Sequence, residues 1–152
     1  VEFVLIGGQA ALTHGSAYQT QDMDICYRRT QENISKLVSL LKTMGAKLRG
    51  PKEELPFILD EKTFSFGMNF TFKTSLGDLD LLGEVSGLGS YEDAKKYSEP
   101  IDLCGVRVDV LTIDGLILCK KAANRPKDQM HLKELEAIKA LKKNPDRGET
   151  DA

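Results

Sequence analysis

The chain has 152 residues, 41% of them apolar and 29% charged, which suits one soluble domain with a real core and excludes a fibrous or disordered protein. Its 21 basic and 23 acidic residues leave a net charge of −2, so no global field draws it to nucleic acid or to an anionic membrane. No apolar run approaches the roughly 18 residues that a membrane-spanning helix needs.

Cys26, Cys104 and Cys119 are odd in number, widely spaced and set among apolar residues. They read as reduced core residues of a cytoplasmic protein, not as a disulfide frame or a zinc site. Nothing at the start reads as a signal peptide, and the chain begins inside a strand without Met, so trimmed upstream residues are expected.

In chain order, Glu2 to Ile6 predicts a first strand, central because it is apolar on both faces. It stops at Gly7-Gly8, and Gln9 to about His14 predicts a short helix with Gly15 at its C-terminal cap. Ser16 to Gln21 is a polar loop. Asp22 to Arg28 is a second strand, with Thr20 and Asp22 at its mouth and Met23 and Ile25 turned inward. From Gln31 to Met44, Ile34, Leu37, Val38, Leu40, Leu41 and Met44 recur at helical spacing, with Thr30 as N-cap and Gly45 just past the end. Gly50 to Lys62 carries two prolines and no steady period, which predicts a long surface connection with at most one helical turn. Met68 to Lys73 and Asp78 to Leu82 predict two strands of a hairpin around Thr74-Ser75-Leu76-Gly77. A glycine-rich loop follows, then a short helix from Tyr91 to Tyr97 and strands at Ile101–Cys104 and Val106–Leu111. Thr112 caps a helix to about Asn124, and Asp128 caps a last amphipathic helix through Leu141 that uses Met130, Leu132, Leu135, Ile138 and Leu141. Residues 1–143 are read as a single domain and 144–152 as a polar tail.

The chemistry concentrates near the start. A glycine turn beside a helix N-terminus suits a phosphate, because free N–H groups and the helix dipole face the anion. Asp22-Met23-Asp24 on a strand puts two carboxylates on one face, which suits a hard divalent cation, and Mg²⁺ usually arrives bound to phosphates. A dinucleotide-binding turn is a poor fit, since the glycines are adjacent and the following helix is short. An EF-hand fails because Tyr27 stands where that loop needs a glycine. The Asp-x-Asp of metal-dependent glycosyltransferases is a minor alternative.

The arrangement of apolar strand, Gly7-Gly8, short helix, Gly15, Thr20, Asp22-x-Asp24 and a later strand acid at Asp80 resembles the nucleotidyltransferase superfamily, in particular minimal nucleotidyltransferases and toxins of the AbiEii type. The likeness covers residues 1–28 and the Leu79-Asp80-Leu81-Leu82 strand, and extends to the Asn-Arg-Pro-Lys-Asp run within residues 120–135. It implies an α+β fold, a mixed β-sheet flanked by helices of the polymerase-beta-like type. It also implies transfer of a nucleoside monophosphate from an NTP (ATP among the candidates) to an unidentified acceptor, which could be RNA, protein or a small molecule. Asp22, Asp24 and Asp80 are then the catalytic and metal-binding residues, holding Mg²⁺ or Mn²⁺ in a two-metal site. Asp78 is the rival to Asp80. Gly7, Gly8, Gln9, Thr20 and Lys120 are the residues expected to touch the nucleotide.

The same resemblance raises the toxin of a toxin–antitoxin or phage-defence pair, with an antitoxin as partner and no membrane involved. Two departures point elsewhere: the family often has Ser or Thr where this chain has Gln9, and many relatives have Arg where it has Tyr18. They motivate the alternative of a catalytically inactive nucleotide-binding or interaction module. Several residues have blander roles. Thr20 could cap the strand entry, Lys120 and Lys121 suit a helix C-terminus, and Lys127-Asp128 reads as a helix start. His14 suits a helix end, His131 a solvated face, and Phe64, Phe66, Phe70 and Phe72 a core.

Overall fold

A computed structural model describes residues 1–49 and 59–143. The expected tail from 144, and most of the expected connection over 50–62, lie outside them.

The described residues build a mixed α+β structure around a seven-stranded sheet of order β3-β4-β5-β2-β1-β7-β6. The first strand, β1 (Phe3–Ile6), lies inside that sheet, antiparallel to β2 (Met23–Tyr27) and parallel to β7 (Val106–Leu111). Its Val4, Leu5 and Ile6 are buried, as a strand covered on both faces requires. On the other side, β2 runs parallel to β5 (Gly77–Leu82), which pairs antiparallel with β4 (Asn69–Thr74) as the expected hairpin. The outer strands are β3 (Lys47–Leu48) and β6 (Ser98–Leu103), antiparallel to β4 and β7.

The helices are α1 (Gly7–Thr13), α2 (Gln31–Thr43), α3 (Glu61–Phe66), α4 (Tyr91–Lys96), α5 (Ile113–Ala123) and α6 (Pro126–Lys143). Local chemistry sets their ends. The Thr30 hydroxyl accepts from the Asn33 N–H at the start of α2, and the Thr112 hydroxyl accepts from the Gly115 N–H at the start of α5. Gly45, at φ +63°, follows the end of α2 in the left-handed conformation that releases a chain from a helix.

Several expectations are corrected. The last helix begins at Pro126, where a missing N–H costs nothing, so Asp128 sits in its first turn and not at its cap. Within it Leu135 is buried, while Met130 and Leu141 are exposed. Leu40 and Met23 are likewise exposed. Phe64 and Phe72 are core and Phe70 packs against it, but Phe66 is 82% exposed. Cys104 is exposed at the β6–β7 turn with φ +53°, whereas burial pushes the Cys26 thiol up to about 12 and Cys119 up to about 11. The two-residue β3 and the Asp60-capped α3 are elements that sequence periodicity does not reveal. His14 does end α1, but it is buried, with Nε2 2.8 Å from the Leu111 carbonyl, which can only accept.

Candidate functional site

The Gly7-Gly8 bend and the acidic strand lie against each other. Ile6 pairs with Asp24 across β1–β2, and Asp24 pairs with Asp80 across β2–β5, so register alone puts Asp24 between the bend and Asp80. Gly7 has φ +67°, and a Cβ there would collide with Asp24 Oδ2. A Cβ on Gly8 would come within 2.7 Å of Thr20 Cγ2. Both glycines are therefore required by close approach, of the carboxylate in one case and of the 16–21 loop in the other.

Asp24 is the unsettled group. Its Oδ1 is buried with no hydrogen-bond partner. Burial, then the neighbouring Asp80 carboxylate, then Asp22, push its pKa up to about 6, and Arg49 offsets this only weakly. Asp24 and Asp80 are register partners on adjacent strands, so two like charges face each other there. Asp80 is better satisfied: its Oδ1 accepts from Arg49 Nη2 at 2.7 Å, while Arg49 Nη1 lies 3.3 Å from Asp78 Oδ2.

A cleft of about 260 Å³ opens over the bend. Gly7, Gly8, Thr20 and Asp24 line one side, with Ser16, Tyr18 and Gln19 from the loop. The other side comes from α5 and α6 and carries Lys120, Arg125, Lys127, His131 and Glu134. The loop is fastened to α6 by Glu134, which accepts from the Ser16 hydroxyl and from the Ala17 N–H at 3.0 Å. Tyr18 packs on His131 with ring centroids 4.2 Å apart. Burial and the nearby Lys120 hold the His131 pKa below its ordinary value, so the imidazole is neutral at pH 7.

The cationic wall is built on Asp128, which is fully buried. It accepts from the Arg125 N–H at 3.1 Å, Arg125 Nε at 2.6 Å and Lys120 Nζ at 3.1 Å. Arg125, then Lys120, hold its pKa well below the usual carboxylate range, burial opposing. Lys120 keeps further N–H donors for the cleft, and Lys127 has no side-chain partner among the described residues.

The cleft thus gathers Gly7, Gly8, Thr20, Asp24 and Lys120 from the expected set. Gln9 does not line it; its Nε2 donates to the Thr20 carbonyl at 3.4 Å, bracing the loop. Asp22 and Asp80 flank Asp24 without lining the cleft. Among the described residues no three His, Cys, Asp or Glu side chains converge as a ready-made metal site. Yet the orphaned, buried Asp24 oxygen beside a second carboxylate fits one hard cation. Arg49, Arg125, Lys127, His131 and Glu134 are the residues the motif did not reveal. The helical spacing of Lys127 and His131, four apart and so on one face, was the available signal.

No family model matches the sequence, and no curated protein matches it. Its fold, in contrast, aligns with the crystal structure of the lincosamide antibiotic adenylyltransferase LnuA in its lincomycin-bound form, with a TM-score of 0.57 over 90% of this chain and 87% of that one. The fold is nucleotidyltransferase-like. At 15% identity the likeness is one of fold. Among the described residues, no helix is long and apolar enough to cross a membrane.

Proposed function

We propose that the protein is a divalent-metal-dependent nucleotidyltransferase that moves a nucleoside monophosphate from an NTP to an acceptor hydroxyl. The observation that carries this is the unpartnered Asp24 oxygen, buried under a glycine bend and opposite a lysine-rich wall. In this reading Asp24, with Asp80 beside it, would hold Mg²⁺ or Mn²⁺, and the nearby Asp22 would add negative charge. When bound, such an ion would supply charge neutralisation of the triphosphate and of the displaced pyrophosphate. Lys127 and the free donors of Lys120 bind the phosphates from the helix side, and Gly7 and Gly8 let the chain approach them without side chains. The acceptor oxygen attacks the α-phosphorus, the bond to the β-bridging oxygen breaks, pyrophosphate leaves, and the acceptor proton passes to a carboxylate of the site. Positioning and charge neutralisation provide the rate.

A second reading is favoured by Arg49 on Asp80 and by Gln9 facing Thr20: a module that binds the metal–nucleotide without turning it over. The fold relative acts on an antibiotic, and the resemblance to toxin-type nucleotidyltransferases makes RNA or a cellular protein the other acceptor class, with an antitoxin as regulator. Incubation with α-labelled NTPs and Mg²⁺ against lincomycin, cellular RNA and lysate protein separates these readings. Label transferred to one acceptor by the wild type and lost in Asp24→Asn is the expected result. Nucleotide binding with no pyrophosphate release under any condition supports the module, and equal labelling by Asp24→Asn contradicts both.

A further inference from the structure

Arg49 is a cation on the sheet side of the site that the proposed chemistry leaves unused. Its backbone is fixed at the sheet edge: it directly follows β3, and its N–H donates to the Thr71 carbonyl of β4 at 3.0 Å. Thr71 is the register partner of Asp80 on β5. The side chain therefore spans β4 to reach β5, where it bridges two carboxylates one strand repeat apart, Asp80 Oδ1 at 2.7 Å and Asp78 Oδ2 at 3.3 Å. The Arg49 side chain is only 24% exposed and that of Asp80 only 23%. A guanidinium held by its own backbone and by two half-buried carboxylates is a fixed part of the site, since withdrawing it would leave those charges uncompensated. Its Nη1 reaches Asp78 as an ion pair only and has no hydrogen-bond partner. Asp24 likewise keeps a buried oxygen without one, but with no cation of its own within salt-bridge distance among the described residues.

The geometry points to Arg49 as the resident cation of the Asp78–Asp80 pair: it stands where a second metal ion would bind and limits the site to one divalent ion, at Asp24. This rests on the nucleotidyltransferase reading and deepens it. Of the two cations that a two-ion site places around the reacting phosphate, one is here a side chain, always charged and independent of metal supply. Removing that charge frees Asp78 and Asp80, two carboxylates on one strand face, for a second ion.

The test counts Mn²⁺ ions bound to the nucleotide-free protein by electron paramagnetic resonance and calorimetry. Wild type is expected to bind one ion, lost in Asp24→Asn. Arg49→Gln is expected to bind a second, at least about tenfold tighter than any second binding in the wild type, and Arg49→Lys to stay at one. If Arg49→Gln fails to fold, the double variant Arg49→Gln/Asp78→Asn removes one charge of each sign and is expected to bind its second ion at Asp80. Two ions in the wild type, or one ion of unchanged affinity in every folded variant lacking the Arg49 charge, overturn the role of Arg49 and leave the Asp24 reading standing. No ion in any of these proteins overturns both.

Discussion

Two charged clusters reach the cleft, one through Asp24 and the other through Lys120 and Arg125, and they are finished to different degrees. On the helix side, Asp128 is completely buried and its oxygens are met by Arg125 and Lys120, which hold its pKa low. On the sheet side, Arg49 hydrogen-bonds Asp80 and pairs with Asp78 by charge alone, while Asp24 keeps a buried oxygen without a partner and a pKa near 6. Both clusters hold carboxylates wholly or partly out of water. A closed one stabilises a helix junction, whereas an open one carries an electrostatic deficit that an incoming cation relieves. The difference separates architecture from chemistry more reliably than the count of acidic residues does.

The largest expected effect attacks the open cluster. Asp24→Ala should lower nucleotidyl transfer by at least about 10²–10³-fold while leaving the fold intact, as read by turnover alongside circular dichroism. The closed cluster should behave in the opposite way. Asp128→Ala strands Lys120 and Arg125 and should destabilise the protein by about 3 kcal/mol, a drop in melting temperature of roughly 6–12 °C. Lys127 belongs to the cleft without belonging to either cluster. Lys127→Ala should raise the KM for NTP about tenfold, with melting temperature unchanged, in steady-state kinetics at fixed Mg²⁺.

The smallest effect is a pH dependence. Because the folded-state pKa of Asp24, about 6, lies above its ordinary 3.8, the native state binds the proton more tightly than the unfolded chain. The stabilisation this gives is complete below the ordinary value and is lost as pH rises to about 6. Asp24→Asn removes that loss, so at pH 7 without metal it should be more stable than wild type by about 1 kcal/mol after allowance for solvent screening. The advantage should vanish near pH 4. Urea titrations at the two pH values measure it.

What was legible in the sequence was local. The arrest of β1 at Gly7-Gly8, the Thr30 cap and Gly45 end of α2, the hairpin around Gly77 and the alternation of Asp22 and Asp24 all lie within short windows and obey one period. β3 escaped because two residues carry no period; pairing with Phe72 and Lys73 makes them a strand. α3 had a signal in Asp60, whose side chain accepts from the Thr63 N–H, but the prolines before it suggested open loop. Asp128 was misplaced because an Asp near a helix start reads as a cap, although Pro126 marks the first helical position. Arg49 meets Asp80 across thirty-one residues of sequence, and no local rule reports such a contact. Nor does any pattern say that Gln9 turns to the Thr20 carbonyl.

Asp24, and not Asp128, is the carboxylate expected to receive a cation. Titrating Mn²⁺ into isotope-labelled protein and following amide line broadening tests it directly, because the paramagnetic ion erases signals around the place where it binds. Loss of the Gly7, Gly8, Asp24 and Asp80 signals first, with Arg125 and Asp128 retained, is the predicted result. Broadening centred on Arg125 and Asp128, or none near Asp24, would contradict it.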